Sequence, residues 1–223
     1  MKLVAVIGSP NGMKGNTGKL LQAALDGAKE AGAQVQVFSL ADKPVKPCRG
    51  CSVCHVKGKC PIKDGFADIR DAMLAADAIV LASPNYIFSV SAQMKALLDR
   101  CCGPLHCQGF VGKYGAAVVT SGGTGGEEVC QYMLRFLRAM GCWTVGSTAA
   151  TAREVGDPAS RQRVLDAADA LGRDLVSAVK EQRKFPEQAQ EREVFFARFN
   201  GLMAARRTEW PYEYEHWQKQ GWL

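Results

Sequence analysis

The 223-residue chain reads as an α/β protein, a parallel sheet with helices on both faces. Two observations carry that expectation. Five short, almost wholly apolar runs recur along the chain, and the segments between them repeat apolar residues at helical spacing. Neighbouring parallel strands need a long crossover, usually a helix, so apolar strands alternating with helices belong in one such sheet.

Each element follows in order. The first run, Lys2 to Ile7, breaks into the polar loop Gly8-Ser-Pro-Asn-Gly-Met-Lys-Gly-Asn-Thr17 and then into a helix carrying Leu20, Leu21, Ala24 and Ala28, stopped at Gly32. Val35 to Phe38 is the second strand. A cysteine-rich loop over 43–64 leads to a helix from Phe66 to Ala75 and a buried strand from Ala78 to Ala82, ended by Ser83-Pro84. Ala92 to Leu98 is helix, Tyr114 to Thr120 strand, Glu127 to Met140 helix and Cys142 to Ser147 the fifth strand. Val164, Leu165, Ala168, Leu171, Leu175 and Val179 then mark one face of a long helix, Arg161 to Lys180.

After Lys180 the character changes, so residues 1–180 form one domain and 181–223 an extension. Val194 to Met203 is apolar on one side, and Trp210 to Trp222 is rich in aromatics that need a surface to cover. A neighbouring subunit or the domain itself can supply it, and the neighbouring subunit is the expectation.

Composition narrows the function classes. The apolar opening is strand-length, too short for a signal core or a spanning helix, so a cytoplasmic protein with no membrane partner is expected. In that compartment the nine cysteines read as free thiols or ligands, not as a disulfide framework. A formal charge of +6 without long Lys/Arg blocks gives no basis for nucleic-acid binding.

In open parallel sheets a ligand sits beyond the carboxyl ends of the strands, which directs attention to loops 8–17, 83–91 and 120–127. The first suits a phosphate, because the following helix leaves N–H groups unpaired at its positive end and Ser9, Asn16 and Thr17 add donors. It is neither a nucleoside-triphosphate loop nor a G-x-G-x-x-G fingerprint, and an ordinary turn capped by Asn16 or Thr17 reads equally well.

Cys48, Cys51, Cys54 and Cys60 stand at C-x2-C-x2-C-x5-C, followed by Pro61. Two-residue gaps let sulfurs converge from a tight turn, as in cluster-binding runs, although four thiolates also suit zinc. Lys43, Lys46, Arg49, Lys57, Lys59 and Lys63 surround them. Those cations fit an acidic electron carrier, or simply a solvated loop. Cys101, Cys102, Cys107, Cys130 and Cys142 lack ligand spacing and read as packing residues, and His106 is not taken as a base for either neighbouring thiol.

Three loops together resemble the flavodoxin-like NADPH-dependent FMN reductase and iron-sulfur flavoprotein family. Gly8 to Thr17 is similar to its phosphate loop, Ser83 to Arg100 to its Ser-Pro-x-Tyr segment and following helix, and Thr120-Ser-Gly-Gly-Thr-Gly-Gly126 to its Gly-rich loop. The resemblance implies a five-stranded sheet in the order 2-1-3-4-5 with the extension appended. It implies FMN held by Ser9, Asn11, Asn16, Thr17, Pro84, Asn85, Tyr86, Ile87, Phe88, Ser121, Gly122, Gly123 and Gly126, with no catalytic side chain, since the flavin carries the chemistry. It further implies a [4Fe-4S] cluster on Cys48, Cys51, Cys54 and Cys60, ferredoxin or NAD(P)H as donor, a small-molecule acceptor, and a homodimer or homotetramer. Three functions stay open: an electron relay between a one-electron carrier and a small acceptor, a cluster-free NAD(P)H-dependent FMN or quinone reductase, and a thiol-based flavin- or zinc-binding sensor.

Overall fold

Leu3, Ala5 and Ile7 face one side of the first strand and Val4 and Val6 the other, and all are buried. This strand, β1 (Lys2–Ile7), therefore needs cover on both faces. The structure is a computed structural model that describes residues 1–223. It contains five further strands: β2 (Gln34–Ser39), β3 (Ala78–Tyr86), β4 (Ser89–Val90), β5 (Tyr114–Ser121) and β6 (Trp143–Thr151). The parallel order is β2-β1-β3-β5-β6, the expected 2-1-3-4-5 winding, with the two-residue β4 returning antiparallel along the end of β3.

On one face lie α1 (Asn16–Glu30) and α8 (Pro158–Glu181), whose Leu20, Leu21, Leu25, Ala168 and Leu175 pack on Leu3, Ile7, Val80 and Val118. On the other lie α3 (Phe66–Ala75), α4 (Ala92–Arg100) and α6 (Gly126–Ala139), which bring Phe66, Ile69, Met94, Leu97, Met133 and Leu137 against Val4, Val6, Ile79 and Leu81. Burial of each large apolar side chain contributes roughly 1.5–3 kcal/mol, so the two layers dominate the stability of the fold.

Two features depart from the sequence expectations. The third strand runs through Ser83-Pro84 to Tyr86 and doubles back, because Ile87 and Phe88 both take left-handed backbone angles (φ 49° and 58°) and close a tight hairpin onto β4. The last strand extends to Thr151, where a capping box with Glu154 starts the single turn α7 (Ala152–Gly156). The extension forms two helices, α9 (Pro186–Ala205) and α10 (Pro211–Lys219).

This extension covers its own chain. Gln188 donates to Thr144 O and accepts from Thr144 N at 2.7 and 2.9 Å, closing part of the free edge of β6, while Arg138 pairs with Glu191 at 2.5 Å. Phe199, Met203 and the wholly buried Trp217 form a small third core. These aromatics pack within the chain against α2 (Val53–Lys57), α5 (Cys102–His106) and α9. No helix is long and apolar enough to cross a membrane.

Candidate functional site

The three loops identified in the sequence meet beyond the carboxyl ends of β1, β3 and β5, and each pair is joined by a hydrogen bond. Ser91 Oγ donates to Gly8 O at 2.5 Å, joining the second loop to the first. Thr17 Oγ1 and Thr120 Oγ1 lie 2.6 Å apart in a buried contact joining the first to the third. Asn85 Nδ2 donates to Thr124 O at 2.8 Å, joining the second to the third. Ser91 also caps α4 by accepting from Met94 N, and its own N–H donates to Ser83 Oγ.

This lattice fixes the backbone while leaving ligand-binding groups free. Helix α1 begins after Gly15 with no side-chain cap, so neither Asn16 nor Thr17 acts as the cap expected from the sequence. The Thr17 hydroxyl is used in the contact to Thr120, and the first N–H groups of α1 remain available to an anion. Close approach shapes the loop: a Cβ on Gly18 would fall 2.2 Å from Met13 O. Ser9 is buried and accepts from Asn11 N, Asn11 is exposed and Asn16 half-buried.

At the second loop Pro84 is buried and Asn85 half-buried, while Tyr86, Ile87 and Phe88 project outward, Ile87 at 91% exposure and Phe88 at 78%. Two large apolar residues held exposed in left-handed conformations cost about 1–2 kcal/mol each, which suits a ligand-facing tip and opposes a merely structural turn. Asn85 Oδ1 is buried with no hydrogen-bond partner, an acceptor awaiting a donor. In the third loop Ser121 is buried, Gly122 and Gly123 are exposed and Gly126 opens α6.

The cysteine loop lies beside this arrangement. Its stems are tied by Asp64, which accepts from Lys46 N at 2.8 Å, Phe66 N at 3.0 Å and Arg100 Nη1 at 2.9 Å. Arg100 also donates to Lys46 O and stacks on the Phe66 ring at 4.6 Å, so the last residue of α4 holds the loop whose partner at the other end, Ser91, holds the flanking loops. Burial opposes the Asp64 charge, but hydrogen bonds from Arg100, Lys46 and Phe66 outweigh it and hold the carboxyl below its usual range. Cys48 and Cys51 are exposed and Cys54 and Cys60 half-buried. Cys48, Lys46, Arg49 and Lys63 border an open cleft of about 570 Å³, and Lys43 pairs with Asp68.

Beneath the loop the sequence reading missed a buried cluster. Glu213 of α10, completely inaccessible, bonds His55 Nδ1 at 2.7 Å and His106 Nδ1 at 3.0 Å, and Trp217 Nε1 donates to His106 O at 2.7 Å. Trp210 stacks on both imidazoles, and Tyr212 presses on Gly58, where a Cβ would lie 2.2 Å from its ring. Burial, then Glu213, raises the Cys54 thiol above its ordinary pKa. Cys101, Cys107, Cys130 and Cys142 are buried packing residues as expected, whereas Cys102 is half-buried beside His55 and His106. Its i,i+4 relation to His106 was the available signal, but His55 and Glu213 are too remote in sequence to be associated with it.

Comparison with known proteins places this geometry among flavin enzymes. The sequence model of the family described as NADPH-dependent FMN reductase matches residues 1–156. An iron-sulfur flavoprotein of Archaeoglobus fulgidus is 32% identical over an alignment covering 100% of both chains. One from Methanocaldococcus jannaschii is 38% identical, covering 81% of this chain and 98% of its own. In fold, the NAD(P)H:quinone oxidoreductase from Methanothermobacter marburgensis superposes with a TM-score of 0.61 at 18% identity, covering 78% of this chain and 96% of that one.

Proposed function

We propose, from the premise that this chain belongs to the NADPH-dependent FMN reductase family and within it is related to the iron-sulfur flavoproteins, that it relays electrons between a one-electron carrier and a small acceptor. It is a flavin-dependent oxidoreductase of flavodoxin-like fold. The observation that carries the finer reading is the mutual bracing of the three loops by Ser91, Thr17 and Asn85, with α4 running from that junction to the four-thiol loop.

The residues suit both groups. For FMN, the uncapped start of α1 with Ser9, Asn11, Asn16 and Thr17 would take the phosphate. The partnerless Asn85 Oδ1 would accept from a ring N–H, and Pro84, Tyr86, Ile87, Phe88, Ser121, Gly122, Gly123 and Gly126 would border the ring. For a [4Fe-4S] cluster, Cys48, Cys51, Cys54 and Cys60 supply four thiols on one loop.

When bound, FMN supplies one- and two-electron chemistry and the cluster single-electron transfer. The chain contributes position and shielding. Ser91 and Thr17 fix the loops, the apolar hairpin would shield a bound ring from water, and Arg100 with Asp64 holds the cysteine loop at a set distance from the junction. The basic cleft at Lys46, Arg49 and Lys63 is suited to an acidic carrier such as a ferredoxin. Residues 1–180 would form the flavin domain and 181–223 a cover over the cluster loop.

Mixing the anaerobic holoprotein separately with NADPH and with reduced ferredoxin tests the relay. Bleaching of the flavin absorbance by ferredoxin and not by nucleotide is the expected result. Rapid bleaching by NADPH with none by ferredoxin would favour the family's nucleotide-dependent reductase activity instead.

A further inference from the structure

We propose that His55, Cys102 and His106 form a mononuclear metal site, separate from the four-thiol loop, that takes a zinc-class divalent ion. Their ligand atoms all lie within 4.8 Å of one another, the one such group of three in the chain. Cys102 and His106 stand one turn apart on α5, and His55 faces them from α2. Ligand atoms around tetrahedral zinc stand roughly 3.3–3.8 Å apart, so small side-chain rotations close the set.

The surroundings are those of a metal site. Histidines that bind metals almost always give their second ring N–H to a carboxylate or carbonyl, which fixes the tautomer and turns the other nitrogen to the ion. Glu213 performs this for both rings at once through its two oxygens, while Trp210 lies over both imidazoles at 4.3 and 4.9 Å. The bonds to Glu213 use Nδ1 of each ring, which leaves each Nε2 without a hydrogen-bond partner.

Charge points the same way. The Glu213 carboxyl is fully buried between two imidazoles, and a buried carboxylate needs a compensating positive charge beside it. An ion bound by two imidazoles and one thiolate would supply it, with a water in the fourth position. It would also pin α2, which carries Cys54, to α5 and, through Glu213, to the extension. The inference rests on this cluster alone and does not require the relay reading.

The test is zinc analysis and zinc-edge X-ray absorption on the anaerobic holoprotein dialysed against zinc, with iron and sulfide counted separately. The expected result is one zinc per chain bound by two imidazoles and a single sulfur. In the Cys102→Ser/His106→Gln double variant zinc should fall at least tenfold while FMN content is kept, and Glu213→Gln should weaken zinc affinity about 10–100-fold. A coordination sphere of four sulfurs, zinc unchanged in the double variant, or none in the wild type would overturn the proposal. If the double variant does not fold, the wild-type coordination sphere decides by itself. Loss of iron and sulfide with zinc retained would count against the cluster and leave this site standing.

Discussion

Asp64 is the residue from which the cysteine loop hangs. Its carboxylate is almost inaccessible, as is the guanidinium of Arg100, and it joins two loop stems and the end of α4. Removing one partner of such a buried pair leaves the other charged and unpaired, so Asp64→Ala should lower unfolding free energy by about 3–5 kcal/mol in urea titrations. The pair also fixes a pH dependence. Because the Asp64 carboxyl is more acidic folded than unfolded, it adds stability above its ordinary pKa of about 3.9, and that share disappears as pH falls through the lower folded value. Acid unfolding followed by circular dichroism should therefore be less steep below about pH 4 in Asp64→Asn than in the wild type. Equal slopes would show that another group governs the acid transition.

At the scale of the element, the hairpin between β3 and β4 spends stability on shape. Its corner would ordinarily be Asn-Gly, residues that tolerate positive φ, yet it holds Ile87 and Phe88. Replacing them as Ile87→Asn/Phe88→Gly should raise thermal stability, by relief of about 1–2 kcal/mol per residue, and weaken FMN binding in fluorescence titrations. Stability gained with flavin affinity intact would make the corner an accident of packing. The same hairpin marks where sequence reading stops. The main strands and long helices were legible because apolar periodicity reports burial directly, as Leu3 to Ile7 and Val164 to Val179 illustrate. Ile87-Phe88 lies inside a segment whose turn runs against local preference, so nothing local announced it. Ser91, Thr120 and Thr124 brace the loops through partners up to 103 positions away, and the extension buries Glu213 against His55 across 158, distances at which a single sequence carries no pairing signal.

Across the whole molecule, α4 acts as a strut and the extension covers the cysteine loop. Nine positions separate Ser91, which holds the junction of the three loops, from Arg100, which holds the cysteine loop, so the two candidate centres are set by one short rigid element. From the opposite side α10 encloses His55 with Trp210, Tyr212 and Glu213. Such an arrangement fits two cofactors held in fixed relation, with one face of the loop, at Cys48 and Cys51, left open to a carrier. The most direct test is to count FMN, iron and acid-labile sulfide per chain in protein purified without oxygen. One FMN with about four iron and four sulfide is the predicted result for a single [4Fe-4S] centre beside the flavin. One FMN with neither iron nor sulfide, and four reactive thiols in the loop, would contradict the relay.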